Sequence, residues 1–404
     1  MKSSAPEVFG VNGVRSDDSM PRQIGPQRTK TQPWRLFWPP TTGSDVYARL
    51  LNEHPEVLLW QFDVTRPFDR PWRQWTDRFQ VQEGQTPLWS CANSLSHIAS
   101  DSHRQDDIED RQAGRITLDQ QMKLLDLPNV QPESFNYLAP LDLYQDEKPY
   151  KCQLPGSCFA GSKMNNLFSM NYPDVVISNV SGYESLFSLD QSGFEFAKCP
   201  VSVRGWSDET VVSTYLPALV KWLKLRLDCQ EVFCYAYNFR QHGNDTDIGK
   251  ELKYGVKKPF FRVHCDSSEA TCRERLRLYF PNRFNDIMTR RVRFLNVWRP
   301  LSSSPVEDCP LALCDFRTVD KEDLVPMDIV YPHFVDEAYE VRYNPSHRWF
   351  YKKGMVQEDV IVFKLFDNLV SEATVCPHSA FVDPAASPTS SRRSSIEVKI
   401  IVLG

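Results

Sequence analysis

Apolar and polar positions change rhythm along this chain near residue 130. Before it, Pro-rich and Arg-rich pieces alternate with aromatic residues, and periodic segments are few. Residues 47–60 and 118–127 have helical spacing, the first broken at Pro55. After residue 132, short apolar runs rich in Val, Ile, Phe and Tyr are bounded by turn residues. They predict strands at 174–179, 185–189, 231–237, 260–264, 291–297, 311–315, 328–331, 338–343, 360–366 and 396–403. Two segments read as helices. In 208–227, Val211, Tyr215, Leu219, Val220, Leu223 and Leu227 recur at helical spacing, with Pro217 expected to kink or split the run. Residues 269–279 form the second. Many strands with few helices predict a mainly β fold, a sandwich or barrel with helices outside it.

Two segments follow. Residues 1–132 form a Trp- and Pro-rich N-terminal extension, expected to be partly disordered and of unknown role; six of the ten Trp precede residue 90. Residues 133–404 form one large β domain.

Composition removes several classes of function. Hydrophobic residues make up 41% and charged residues 25% of the 404 positions, enough to build a core. A net charge of -5 gives no broad positive field, so no nucleic-acid partner is expected. Residues 1–21 hold no apolar segment of the kind a secretory leader needs, and no run reaches the roughly 18 apolar residues that cross a bilayer. A cytoplasmic protein with no membrane partner is expected. The 11 cysteines form no Cys-x-x-Cys pair, which fits free thiols in a reducing compartment.

The eight histidines carry the candidate chemistry. A facial non-haem iron site needs two neutral imidazoles and a carboxylate on one side of the ion. Its local signature is His-x-Asp or His-x-Glu at a strand end, where residues i and i+2 share a face. Eight histidines and 52 acidic residues make about one such triplet by chance, so context decides. His54-Pro55-Glu56 sits in a helix-like stretch, whereas His264-Cys265-Asp266 follows an apolar strand. Farther on, His378 lies near the start of another segment, and Arg393 opens the terminal strand. Arg393 can bind a dicarboxylate bidentately, and Ser395 adds a second donor. The competing reading makes His264 a core histidine and Asp266 a cap for the following helix. His333 and His347 lack a carboxylate at strand spacing and read as structural.

From Ser134 onward the chain resembles the fungal hydroxylase/desaturase family that includes aspergillic-acid hydroxylase and gibberellin desaturase, related to the cephamycin methoxylation subunit. The matching pieces include Asn136-Tyr-Leu-Ala-Pro140, Leu189-Asp-Gln-Ser-Gly-Phe194, Val263-His-Cys-Asp266, Asn296-Val-Trp-Arg-Pro-Leu301, His347-Arg-Trp-Phe-Tyr351, Pro377-His-Ser-Ala-Phe-Val-Asp383 and Arg393-Ser-Ser-Ile-Glu-Val398. The family's closing Ile-Glu-Val-Arg appears here as Ile396-Glu-Val-Lys399. The resemblance implies a double-stranded β-helix (jelly-roll, cupin-like) core and an oxidoreductase using Fe(II), 2-oxoglutarate and O2. It implies hydroxylation or desaturation of a small-molecule intermediate of fungal secondary metabolism. His264, Asp266 and His378 would be the catalytic metal ligands, Arg393 and Ser395 the co-substrate anchor, with Asn296 or Arg299 facing the pocket. A carboxylate at Asp266 argues against halogenation, because it occupies the position a halide would need. Two rivals are an inactive or accessory barrel that binds a partner, and a cupin-like metalloenzyme without 2-oxoglutarate.

Overall fold

The computed structural model describes residues 127–153, 164–243, 256–331 and 334–404. The expected helix at 47–60, nearly all of that at 118–127, most of the N-terminal extension, His54 and His333 lie outside the described residues. Strands are numbered along the chain. A nine-stranded sheet runs in the order β1 (Asn129–Val130), β5 (Ile177–Asn179), β14 (Trp349–Tyr351), β11 (Leu311–Cys314), β16 (His378–Ala380), β9 (His264–Cys265), β13 (Val335–Val341), β12 (Leu324–Val330) and β3 (Tyr150–Cys152). A six-stranded sheet runs β6 (Phe194–Lys198), β15 (Asp359–Asp367), β10 (Val292–Pro300), β17 (Ser394–Leu403), β7 (Glu231–Gln241) and β8 (Val256–Lys257). A small antiparallel pair joins β2 (Asn136–Leu138) to β4 (Ser169–Asn171).

Alternation along the strands builds three apolar layers. Phe294, Trp298, Ile361, Phe363 and Ile401 of the six-stranded sheet meet Leu311, Leu313 and Phe350 of the other in one buried cluster. The opposite parity, Leu295, Val297, Val360, Val362, Val398 and Ile400, packs with Leu216, Leu219 and Leu223 of helix α1 (Leu216–Arg226). The outer face of the nine-stranded sheet is closed by Phe135, Tyr137, Trp349 and Tyr351. Each such side chain taken fully from water contributes about 1.5–3 kcal/mol.

The mainly β expectation holds, with local corrections. Residues 185–189 were expected as a strand but form a short 3-10 turn (Glu184–Leu186) followed by a one-turn helix (Leu189–Ser192). Ser188 caps that helix by accepting the Gln191 N–H, and Gly193 ends it at φ +81°, so local hydrogen bonding overrides the apolar run. Strand β9 is only two residues long, whereas β7, β10 and β17 outrun their expected ends. The helical run from 208 continues through Pro217 without a break. Proline has no N–H to give, and the preceding turn (Val211–Tyr215) widens so that the Leu216 N–H bonds to the Val211 carbonyl five residues back. Helix α2 (Glu269–Tyr279) has the expected bounds. No helix among the described residues is long and apolar enough to cross a membrane.

Candidate metal centre

His264 on β9 and His378 on β16 are direct cross-strand partners, with ring centroids 4.4 Å apart. Asp266 lies just past the end of β9. Its Oδ1 is 3.4 Å from His264 Nε2 and its Oδ2 is 3.9 Å from His378 Nε2. One ligand atom from each of the three lies within 4.8 Å of the others. The competing role for Asp266 is absent: Ser268 caps α2 by accepting the Thr271 N–H.

Hydrogen bonding sets the state of both rings. His264 Nδ1 is 2.8 Å from the Arg262 carbonyl and His378 Nδ1 is 3.0 Å from that of Cys376. Carbonyls only accept, so both Nδ1 atoms carry a proton and both Nε2 atoms are turned toward Asp266. Burial, and then neighbouring His264, push the His378 imidazole down to about 4, which keeps it neutral. Burial alone would raise Asp266, but the Lys399 ammonium together with the neighbouring His264 and His378 outweighs it and holds the carboxyl well below the usual carboxylate range. Two imidazole Nε2 atoms and an ionised carboxylate converging on one space are the donors that a facial metal site takes. The donor set therefore suits a divalent ion. Phe260 and Phe363 wall the imidazoles at 4.6 Å between ring centroids.

The six-stranded sheet supplies the other side. On β10 and β17, Asn296 pairs with Lys399 and Trp298 with Glu397 across the ladder. Asn296 Nδ2 donates to Asp266 Oδ2 at 3.0 Å, and Lys399 Nζ lies 3.2 Å from the same oxygen. Asp266 thus joins the two sheets. Arg393, fully buried, lies with its Cζ 5.2 Å from the centre of the Trp298 ring. Its guanidinium donates to the Cys309 carbonyl at 2.7 Å and approaches Ser395 Oγ at 3.4 Å. Among the described residues no carboxylate forms an ion pair with it. Burial and then Arg240 push this guanidinium down to about 10, so it remains charged at neutral pH. A buried, charged guanidinium without a carboxylate fits an anionic ligand.

Arg299 is the correction. It was expected, with Asn296, as a pocket residue, but its parity on β10 matches Leu295 and Val297, and it donates to the carbonyls of Gln357 and Val201 at 2.6 Å. It braces the face away from the site. The His347 side chain is buried, 3.0 Å from Asp323 and stacked on Tyr137, which matches its structural reading. The reading of the sequence missed Lys399, Glu397 and Arg240 as neighbours of the site; Arg240 Nε reaches Glu397 Oε2 at 3.3 Å. A signal was present. Along β17 one face is apolar at Ile401 and Leu403 and turns polar at Lys399, Glu397 and Ser395, the change expected where a core gives way to a pocket.

A family model described as an oxidoreductase/YMDC permease-like domain matches residues 135–403. Hydroxylase/desaturase efuI of Hormonema carpetanum is 27% identical over 251 residues, covering 57% of this chain and 84% of the relative. The Fe(II)/2-oxoglutarate-dependent dioxygenase nvfI of Aspergillus novofumigatus is 26% identical over 226 residues, 54% of this chain and 78% of the relative. Among solved structures, the iron and alpha-ketoglutarate-dependent endoperoxidase NvfI superposes with a TM-score of 0.58 at 22% identity, covering 69% of this chain and 98% of that one.

Proposed function

The chain belongs to the oxidoreductase/YMDC permease-like family, and from that premise we propose that it is an Fe(II)/2-oxoglutarate-dependent oxygenase that hydroxylates or desaturates a small molecule of fungal secondary metabolism. One observation carries the reading. Two imidazole Nε2 atoms and an ionised carboxylate converge at His264, Asp266 and His378, in the same inter-sheet space as the buried guanidinium of Arg393, which among the described residues pairs with no carboxylate. We read the two facing sheets as a double-stranded β-helix. In this reading His264 and His378 hold iron through Nε2 and Asp266 through its carboxylate. Arg393, helped by Ser395, holds the far carboxylate of 2-oxoglutarate. Bound iron supplies the redox chemistry that couples decarboxylation of 2-oxoglutarate by O2 to oxidation of a substrate C–H bond.

The protein's own groups prepare that chemistry. The backbone carbonyls of Arg262 and Cys376 hold the Nδ1 protons and orient both rings, leaving Nε2 as the atom offered to a metal. Lys399 and Asn296 engage Oδ2 of Asp266 and keep the carboxylate ionised and oriented. Trp298 packs beneath Arg393 and fixes the plane of the guanidinium. The test is anaerobic reconstitution with Fe(II), then addition of 2-oxoglutarate and O2 with succinate as the readout. Wild-type chain forms succinate; His264→Ala and Asp266→Ala do not. Turnover by either variant at the wild-type rate overturns the reading.

A further inference from the structure

Among the described residues a second set, His242, Asp308 and Cys309, brings metal-capable atoms within 4.8 Å of one another. His242 sits just past β7, and Asp308 and Cys309 precede β11. Asp308 Oδ2 is 2.7 Å from His242 Nδ1, and Cys309 Sγ is 3.3 Å from that same nitrogen. Both contacts fall on one ring nitrogen, whereas a Cys-His-Asp nucleophile relay uses both. Burial, reinforced by Asp308, pushes the Cys309 thiol up to about 12, so the sulfur keeps its proton. The set is neither a nucleophile nor a ready thiolate site.

What the set does reach is residue 393. Asp308 Oδ1 accepts the Arg393 N–H at 2.9 Å and the Cys309 N–H at 2.8 Å. The backbone N–H of His242 donates to the Arg393 carbonyl at 2.9 Å. The Cys309 carbonyl takes one arm of the Arg393 guanidinium at 2.7 Å. Both peptide groups of Arg393 and one end of its side chain are therefore held by three residues, and the imidazole ties off the remaining oxygen of a buried carboxylate. Resting on the assignment of Arg393 as the co-substrate anchor, we propose that His242 and Asp308 are positioning residues, a clamp that sets 2-oxoglutarate affinity through Arg393.

The experiment compares wild type, His242→Phe, Asp308→Ala, Asp308→Asn and Arg393→Ala, each loaded with Fe(II). Affinity for 2-oxoglutarate is measured by calorimetry without O2, and KM and kcat by succinate formation. The clamp predicts 2-oxoglutarate binding about 10- to 100-fold weaker in His242→Phe and Asp308→Ala, the range typical when an outer-shell partner is lost. KM should rise by a similar factor, with kcat changing far less and Fe(II) affinity retained. Asp308→Asn preserves the Oδ1 acceptor and most of the shape, so it should bind 2-oxoglutarate closer to wild type than Asp308→Ala does, which separates loss of the clamp from loss of the fold. Binding like wild type in both His242→Phe and Asp308→Ala, with binding lost in Arg393→Ala, overturns the clamp alone. An extra equivalent of zinc that either clamp substitution removes also overturns it, because the set would then be a metal site. If wild type fails to bind 2-oxoglutarate at all, the functional reading fails and the clamp falls with it.

Discussion

At the scale of single residues, the spacing of donor atoms carries most of the argument. His264 and Asp266 were legible because residues two apart at a strand end share a face, and His378 because it opens a later strand. Their Fe(II) affinity is expected to fall at least about tenfold in His264→Ala or Asp266→Ala, read by metal titration under anaerobic conditions. Arg299 illustrates how a recognisable segment misleads. Positions 296 and 299 differ by an odd number, so a regular strand cannot aim both into one pocket. Arg299→Met should therefore cost about 1–3 kcal/mol of stability, by leaving two carbonyls without their donors, while 2-oxoglutarate affinity stays at the wild-type level. Equilibrium unfolding and calorimetry separate the two effects. His347 makes a pH prediction. Burial lowers its pKa from the ordinary value of 6.5, with Asp323 opposing the shift, so below that pH the unfolded chain binds a proton that the folded one resists. Stability should fall as pH drops below 6.5, and His347→Gln should flatten that dependence in urea titrations at pH 7.5 and 5.5.

At the scale of elements, local capping explains where the apolar pattern failed. The run at 185–189 has strand composition, yet Ser188 and Gly193 bracket a helical turn, and Lys364 donates its N–H to the Gly193 carbonyl. A Cβ at Gly193 would lie 2.7 Å from the Val375 carbonyl oxygen, on a backbone already at φ +81°. Gly193→Ala is expected to destabilise by about 1–3 kcal/mol and, by displacing the segment leading to His378, to weaken Fe(II) binding. Thermal unfolding and metal titration test the two effects together; retention of both would show that the segment relaxes freely. The widened turn before Pro217 was half legible. Proline announces an irregularity, but whether the helix breaks or widens depends on the packing of Val211, Val212 and Tyr215 against β7 and β17.

At the scale of the whole molecule, the strand order decides what the centre contains. Leu127 is buried in the inter-sheet core, and β1 pairs with β5, both ahead of the boundary drawn at residue 133. A chain beginning at Leu127 is expected to bind Fe(II) like the full chain, while one beginning at Gln131, without Leu127 and β1, should unfold at lower temperature; equal melting temperatures would contradict this. By itself the sequence determined the mainly β character, most of the long strands and helix α2, and it pointed to the four residues of the iron and anchor proposal, because side-chain periodicity and i, i+2 spacing are local properties. Only the tertiary structure decided that His264 pairs directly with His378, that Asn296 and Lys399 meet on one oxygen of Asp266, and that His242 and Asp308 close around Arg393. Those contacts depend on register between strands far apart in the chain, and a strand's own alternation specifies which face a side chain takes but not which strand lies opposite.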